Sequence, residues 1–187
     1  MTARKMTEFA KIPQFTKPGQ YAVDYGFTYL IDFVDEEIAT AGLVMEPDFQ
    51  RGHVWTERQQ AAYVEFLLRG GLTGRDLYFN NPGWNQPVGP GEYADYVCVD
   101  GLQRITAIRR FVENDIKVFG SFFNEYTDKR RLGLNTIRVH INDLKTKDEV
   151  LRWYLEMNSG GTPHTKRELA RVKNLLSTKR QEDKNDD

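Results

Sequence analysis

The chain has 187 residues, 40% hydrophobic and 28% charged, with a formal net charge of −1; that length supports one domain with a sizeable core. Near-neutral charge excludes a global drive onto nucleic acid by phosphate neutralisation, which needs a clustered basic face, so any DNA contact must be local. No run approaches the roughly 18 apolar residues of a membrane span, no apolar block marks a signal peptide in residues 1–20, and one cysteine, Cys98, leaves no internal disulfide framework, which together fit a reducing cytoplasm.

Residues 1–20 carry basic side chains, Pro13 and Pro18 without a period, and read as an extended arm. Thr28 is a candidate cap for a helix whose apolar positions Leu30, Phe33, Val34 and Ile38 recur at helical spacing and stop before Gly42. A short strand over Leu43, Val44 and Met45 leads to the polar cluster Pro47-Asp48-Phe49-Gln50-Arg51-Gly52-His53-Val54-Trp55. Thr56 and Gln59 have capping-box spacing for a helix through Leu68, which Gly70-Gly71 stops and against which Trp55 packs. Leu77-Tyr78-Phe79 reads as a strand, and Asn80 to Tyr93, with three prolines and three glycines, as a loop placed to lie over a site.

The apolar strand Tyr96-Val97-Cys98-Val99 stops at Asp100-Gly101 and turns straight into helical periodicity, with Leu102, Ile105, Ile108, Phe111 and Val112 as the buried face. Ile137, Val139 and Ile141, alternating with Arg138 and His140, form a half-buried strand. Thr146 with Glu149 and Thr165 with Glu168 repeat the Thr-x-x-Glu cap, giving two helices joined by Asn158-Ser159-Gly160-Gly161-Thr162-Pro163. Residues 177–187 form a charged tail: from Lys179 onward seven of nine residues are charged and none is apolar, a composition that stays disordered. Strands and helices intermix without strict βαβ repetition, so residues 21–176 are expected to form a compact α+β domain, a small mixed sheet with flanking helices.

The chemistry concentrates at Asp100-Gly101-Leu102-Gln103-Arg104. A strand that ends at a glycine and opens a helix brings first-turn N–H groups and the Arg104 guanidinium to one point, the geometry of an anion site. Phosphate is the natural ligand there. The carboxylate of Asp100 would repel it, so Asp100 either caps the helix, the preferred reading, or holds a divalent cation that bridges phosphates. Gln50 and Arg51 offer an amide and a second guanidinium from another strand end; alternatively Arg51 pairs with Asp48 or Glu46 at the surface. The run from Asn158 to Pro163 is either a phosphate-cradling turn, with Asn158 as a further site residue, or an ordinary helix stop. It lacks the Gly-Lys-Ser/Thr ending of a Walker A loop. His53, His140 and His164 show no metal-ligand spacing. Arg51, Arg58, Arg69, Arg75, Arg104, Arg109 and Arg110 are the residues from which a local DNA-binding face could be built.

Three ordered patterns, Pro-x-aromatic-Gln-Arg-x-x-Val-Trp, Asp-Gly-x-Gln-Arg-x-Thr-Ala-Ile and Asn-x-Gly-Gly-Thr-Pro, make residues 24–176 resemble the N-terminal domain of GmrSD-type, modification-dependent restriction endonucleases. That domain belongs to the ParB/sulfiredoxin-like superfamily. The resemblance implies that fold, nucleotide binding and hydrolysis and, in some relatives, sensing of modified DNA; a Mg2+ ion is the cofactor expected to accompany such a nucleotide. It further implies catalytic roles for Asp100, Gln103 and Arg104 and phosphate contacts from Gln50, Arg51, Gly101 and Arg104, to which the reading of the glycine turn adds Asn158. Leu102 departs from the family's Asp-Gly-Gln-Gln-Arg, which weakens hydrolysis if that first glutamine orients water. The expected function is therefore a nucleotide-binding, nucleoside-triphosphate-hydrolysing module of DNA restriction, defence or counter-defence, without the HNH-type nuclease domain of the complete enzymes. Its partners would be a nucleoside triphosphate, DNA, and a separate nuclease or defence-system protein. Two alternatives stand beside it: a non-catalytic regulatory or inhibitory protein of viral or mobile-element origin, and a ParB-like nuclease with Asp100 as a metal ligand.

Overall fold

The computed structural model describes residues 7, 8, 11, 12, 14, 20–50, 52–129 and 135–159. Its elements are β1 (Tyr21–Gly26), α1 (Phe27–Ala41), α2 (Glu57–Leu68), β2 (Asp76–Asn80), β3 (Val97–Asp100), α3 (Leu102–Val112), β4 (Thr136–Asn142) and α4 (Lys147–Ser159), with a 3-10 turn at Phe123–Glu125. The strands form one sheet in the order β1-β4-β2-β3. β1 and β4 are antiparallel, β4 and β2 parallel, β2 and β3 antiparallel. This is the α+β architecture with a small mixed sheet that the pattern implies.

Period-two alternation gives the sheet two unlike faces. Leu77 and Phe79 of β2 and Ile137, Val139 and Ile141 of β4 are buried against Leu30, Ile31 and Val34 of α1, Val64 and Leu67 of α2, and Ile105, Ile108 and Phe111 of α3. Each such side chain contributes about 1.5–3 kcal/mol relative to exposure. On the other face a second cluster gathers Val97 and Val99 of β3 with Leu151, Trp153 and Tyr154 of α4, and Tyr78 packs partly against it.

Local signals explain most element ends. Thr56 caps α2 as a full capping box with Gln59, Gly42 ends α1 in the left-handed region at φ 70°, and Glu149 N–H donates to Thr146 Oγ1 at 3.2 Å at the start of α4. Four readings change. Thr28 is no cap: β1 runs directly into α1, so Gly26 takes the cap position and no side chain bonds there. The strand at Leu43–Met45 shrinks to one bridge between Val44 and Val97, in which Val44 N–H donates to Tyr96 O and Cys98 N–H to Val44 O. β1 itself has no counterpart in the sequence reading, because its partner β4 lies far along the chain and a short Tyr-Ala-Val-Asp-Tyr run beside a polar arm carries little signal. α4 continues through Asn158 to Ser159, so the first two residues of the expected turn are helical; the rest of that run lies outside the described residues. The helix at Thr165, the tail and most of the N-terminal arm lie outside the described residues. Among the described residues no helix is long and apolar enough to cross a membrane.

Candidate functional site

β3 reaches α3 through Gly101, whose φ of 138° and ψ of −8° suit glycine. A Cβ there would lie 2.6 Å from Leu77 Cδ2, closer than any real contact. Because the turn takes a single residue, Gly101 is also the N-cap of α3 and has no side chain to cap it. The preferred role of Asp100 as a cap is thereby overturned. Its carboxylate turns instead onto Arg104, Oδ2 to Nη2 at 2.6 Å, while Arg104 Nη1 donates to the carbonyl of Asp76 at 2.7 Å. The guanidinium is largely buried: the Arg104 side chain is only 17% exposed. Burial works against its charge, but the Asp100 carboxylate outweighs that and raises its pKa above the ordinary arginine value.

The two polar clusters of the sequence hold each other through amides. Gln50 donates from Nε2 to the carbonyls of Cys98 and Val99 at the end of β3. Gln103 answers from α3: its Oε1 accepts from the N–H groups of Val54 and Trp55 at 2.9 and 3.0 Å, and its Nε2 donates to Gly52 O at 3.2 Å. A third amide, buried Gln60, donates to Trp55 O and accepts from Arg110 Nη1. His53 lies against the same Gln60, 3.1 Å from its Nε2, and Trp55 packs edge-on against Tyr63 of α2 as expected. Gln50 and Gln103 therefore bind backbone in this structure, which fixes the segment from Gly52 to Thr56 beside the start of α3.

Asp48, one candidate partner for Arg51, pairs with Lys147 of α4 at 2.8 Å. Arg51 and the side chain of Asn158 lie outside what the structure describes. Leu102 is 8% exposed and belongs to the core side of α3. Cys98 is fully buried, which pushes its thiol well above the ordinary value and makes it a small hydrophobe as expected. Several arginines proposed for a DNA face are tied within the fold. Arg75 bonds the carbonyls of Gly71, Thr136 and Leu67, Arg109 bonds Asp35 and Glu113, and Arg110 bonds Gln60 and Glu57.

Beside this junction the sheet face opposite the main core carries polar side chains that the sequence reading left as the outward half of an alternation. The register aligns Asp24, Arg138 and Asp76 in one row and Ala22, His140 and Tyr78 in the next; Asp100 pairs with Tyr78 across a shift in the β2–β3 register. Arg138 grips Asp24 with two bonds of 2.8 and 2.9 Å, which hold that carboxyl below the ordinary aspartate range. His140 Nε2 lies 2.7 Å from Asp76 Oδ1, and its ring stacks on Tyr78 with centroids 4.8 Å apart and planes 13° apart. The outward positions of β4 were the only signal in the sequence for this row. That they meet Asp76 and Tyr78 depends on the parallel pairing of β4 with β2.

No curated protein matches the sequence. Among solved structures the chain is similar to the C-terminally truncated chromosome-partitioning protein ParB from Caulobacter crescentus complexed with CTP-gamma-S, with 15% identity and a TM-score of 0.37. The alignment covers 86% of this chain and 65% of that one, less than two-thirds of its length. A likeness at this distance carries no argument about ligand. The family described as GmrSD restriction endonuclease, N-terminal domain, matches residues 30–133, which include most of α1, both clusters and the whole β3–Gly101–α3 junction. The chain belongs to the family of GmrSD restriction endonuclease N-terminal domains.

Proposed function

We propose that this chain binds a nucleoside triphosphate at the start of α3 and hydrolyses its terminal phosphoanhydride. The observation that carries the reading is the junction itself: a helix start without a side-chain cap, reached through a glycine, beside a largely buried guanidinium whose counter-ion is Asp100. Uncapped N–H groups and the helix dipole favour an anion. An arriving phosphate would take the place that the Asp100 carboxylate holds against Arg104, and a charge-assisted, forked contact is the strongest bond this site can make. Asp100 would then offer its oxygens to a Mg2+ ion carried in on the phosphates, as a hard cation that keeps several waters requires few protein ligands. When bound, such an ion neutralises charge on the transferred phosphoryl group.

The amide locks matter for this chemistry because phosphoryl transfer depends on positioning. Gln50 and Gln103 fix the two clusters against each other, so a ligand on α3 meets a preformed wall at Gly52–Thr56. The nuclease alternative asks for several carboxylates around Asp100, yet Asp48 is paired with Lys147 and Asp76 with His140. A role in restriction, defence or counter-defence, with a separate nuclease as partner, follows from the family and belongs to the same proposal.

The test measures phosphate release from each of the four ribonucleoside triphosphates, with and without Mg2+ and duplex DNA, for the wild type, Arg104→Lys and Arg104→Ala, with circular dichroism confirming the fold. Release that falls at least about tenfold in Arg104→Lys, the effect of about 1.4 kcal/mol lost from the transition state, supports the reading. Equal turnover in the folded variants, or neither binding nor release with any nucleotide, refutes it.

A further inference from the structure

The side chains of the Asp-Gly-Leu-Gln-Arg run are engaged. Leu102 is apolar and on the core side, Gln103 bonds the backbone of Gly52, Val54 and Trp55, and Arg104 is held by Asp100 and by the carbonyl of Asp76. Hydrolysis also needs an acceptor for the proton of the attacking water, and a protonated Arg104 cannot serve. The neighbouring row of the sheet contains one.

His140 is half-buried and held on two sides. Its Nε2 lies 2.7 Å from Asp76 Oδ1, and its ring lies nearly parallel to Tyr78. The carbonyl of the same Asp76 accepts from Arg104, so a continuous path runs from His140 through Asp76 and Arg104 to Asp100. In the sheet His140 pairs with Tyr78, and Tyr78 pairs with Asp100 across a shift in the β2–β3 register, so β4 and β3 flank β2 on either side. The Tyr78 hydroxyl is raised by burial and then by Asp76, and it also feels Arg104 and Asp100, so charges from both places converge on it.

We infer that His140 is the general base of the hydrolysis proposed above, oriented by Asp76 and Tyr78. The inference rests on the hydrolase reading. With Nε2–H donating to the Asp76 carboxylate, Nδ1 is the atom left to accept a proton, the division of labour found wherever a carboxylate fixes a histidine tautomer. In the step, a water oxygen forms a bond to the terminal phosphorus and its proton passes to Nδ1. The bridging P–O bond breaks, its electron pair leaves on the nucleoside diphosphate, and the imidazolium, paired with Asp76, returns its proton to solvent. His140 is the catalytic residue in this account, and Asp76 positions it. Among the described residues, the charged and titratable groups around His140 are Asp76 and Tyr78 of β2, Arg138 of β4 and Asp24 of β1.

The experiment records pH–rate profiles of phosphate release, and nucleotide affinity by fluorescence titration, for the wild type, His140→Asn and Asp76→Asn. The expected result is a kcat at least about 100-fold lower in His140→Asn, the lower end of what a positioned base contributes, with unchanged nucleotide Kd and with the acid limb of the profile gone. Asp76→Asn should lower kcat while keeping that limb. His140→Gln supplies the same readout should the asparagine variant fail to fold. Wild-type kcat in a folded His140 variant, a raised Kd with kcat intact, or a wild-type profile flat on its acid side overturns the base while leaving the hydrolase standing. Absence of release from every triphosphate by the wild type removes both.

Discussion

On one face of the sheet Leu77, Phe79, Ile137 and Val139 have no exposed surface; one residue away along the same strands, Asp76, Tyr78, Arg138 and His140 keep part of theirs. The backbone is shared, so the difference lies in what each face receives. Three helices close over the first and make its side chains interchangeable in kind, since any apolar residue of the right volume fills that space. α4 covers only part of the second, through Trp153 against Tyr78 and the cluster at Val99. There the residues are specific in kind, because each finds a partner of complementary charge or shape. One face stabilises the fold, and the other is free to carry chemistry.

Substitutions can break this contrast in order of effect. Phe79→Ala empties a fully buried site and should cost about 3–5 kcal/mol, read as a fall in the urea midpoint with an unchanged slope; a small loss would mean that the core face is loosely packed. Gly101→Ala, where faces meet motif, should cost about 2–4 kcal/mol from positive-φ strain and the clash with Leu77. Adding Leu77→Ala to that variant should cost less than the sum of the two single changes, because the clash goes with the leucine side chain.

Gln103→Ala should cost about 1–2 kcal/mol for three lost bonds to backbone, and amide exchange at Val54 and Trp55 should rise beyond the global change. Uniform exchange along the chain would show that Gln103 does not fix that segment. Smallest of all is Asp24→Asn on the open face. The Asp24 carboxyl is held below its ordinary value by Arg138. Its pairing is therefore complete above the ordinary aspartate range and is lost as pH falls through the lowered value. The variant should be slightly less stable than the wild type at neutral pH, converge with it below the lowered value, and so flatten the acidic part of the stability curve.

Helix ends were legible where a residue signals to a neighbour three or four positions away: the Thr56–Gln59 box, the Thr146–Glu149 cap, the left-handed Gly42 and the stop at Gly70. Thr28 misled because a strand feeding straight into a helix leaves no room for a side-chain cap. Asp100 misled for a related reason: its local option, capping, lost to a guanidinium one helical turn on that could not stay buried without a carboxylate. The glutamines of the two clusters were visible as polar residues, but that each would bond the other's backbone required the clusters to be brought together across almost fifty residues.

The sequence by itself determined the alternation of β2 and β4, the apolar faces of the helices, the strand-to-helix turn at Gly101 and the family to which the chain belongs, since each is written in residue types at short spacing. The tertiary structure alone decided that β4 lies parallel beside β2, so that His140 meets Asp76 and Tyr78, and that Arg104 spans Asp100 and Asp76. Pairing of distant strands is settled by the packing of the whole domain rather than by local preference, and no pattern within a few residues of His140 could announce its neighbours.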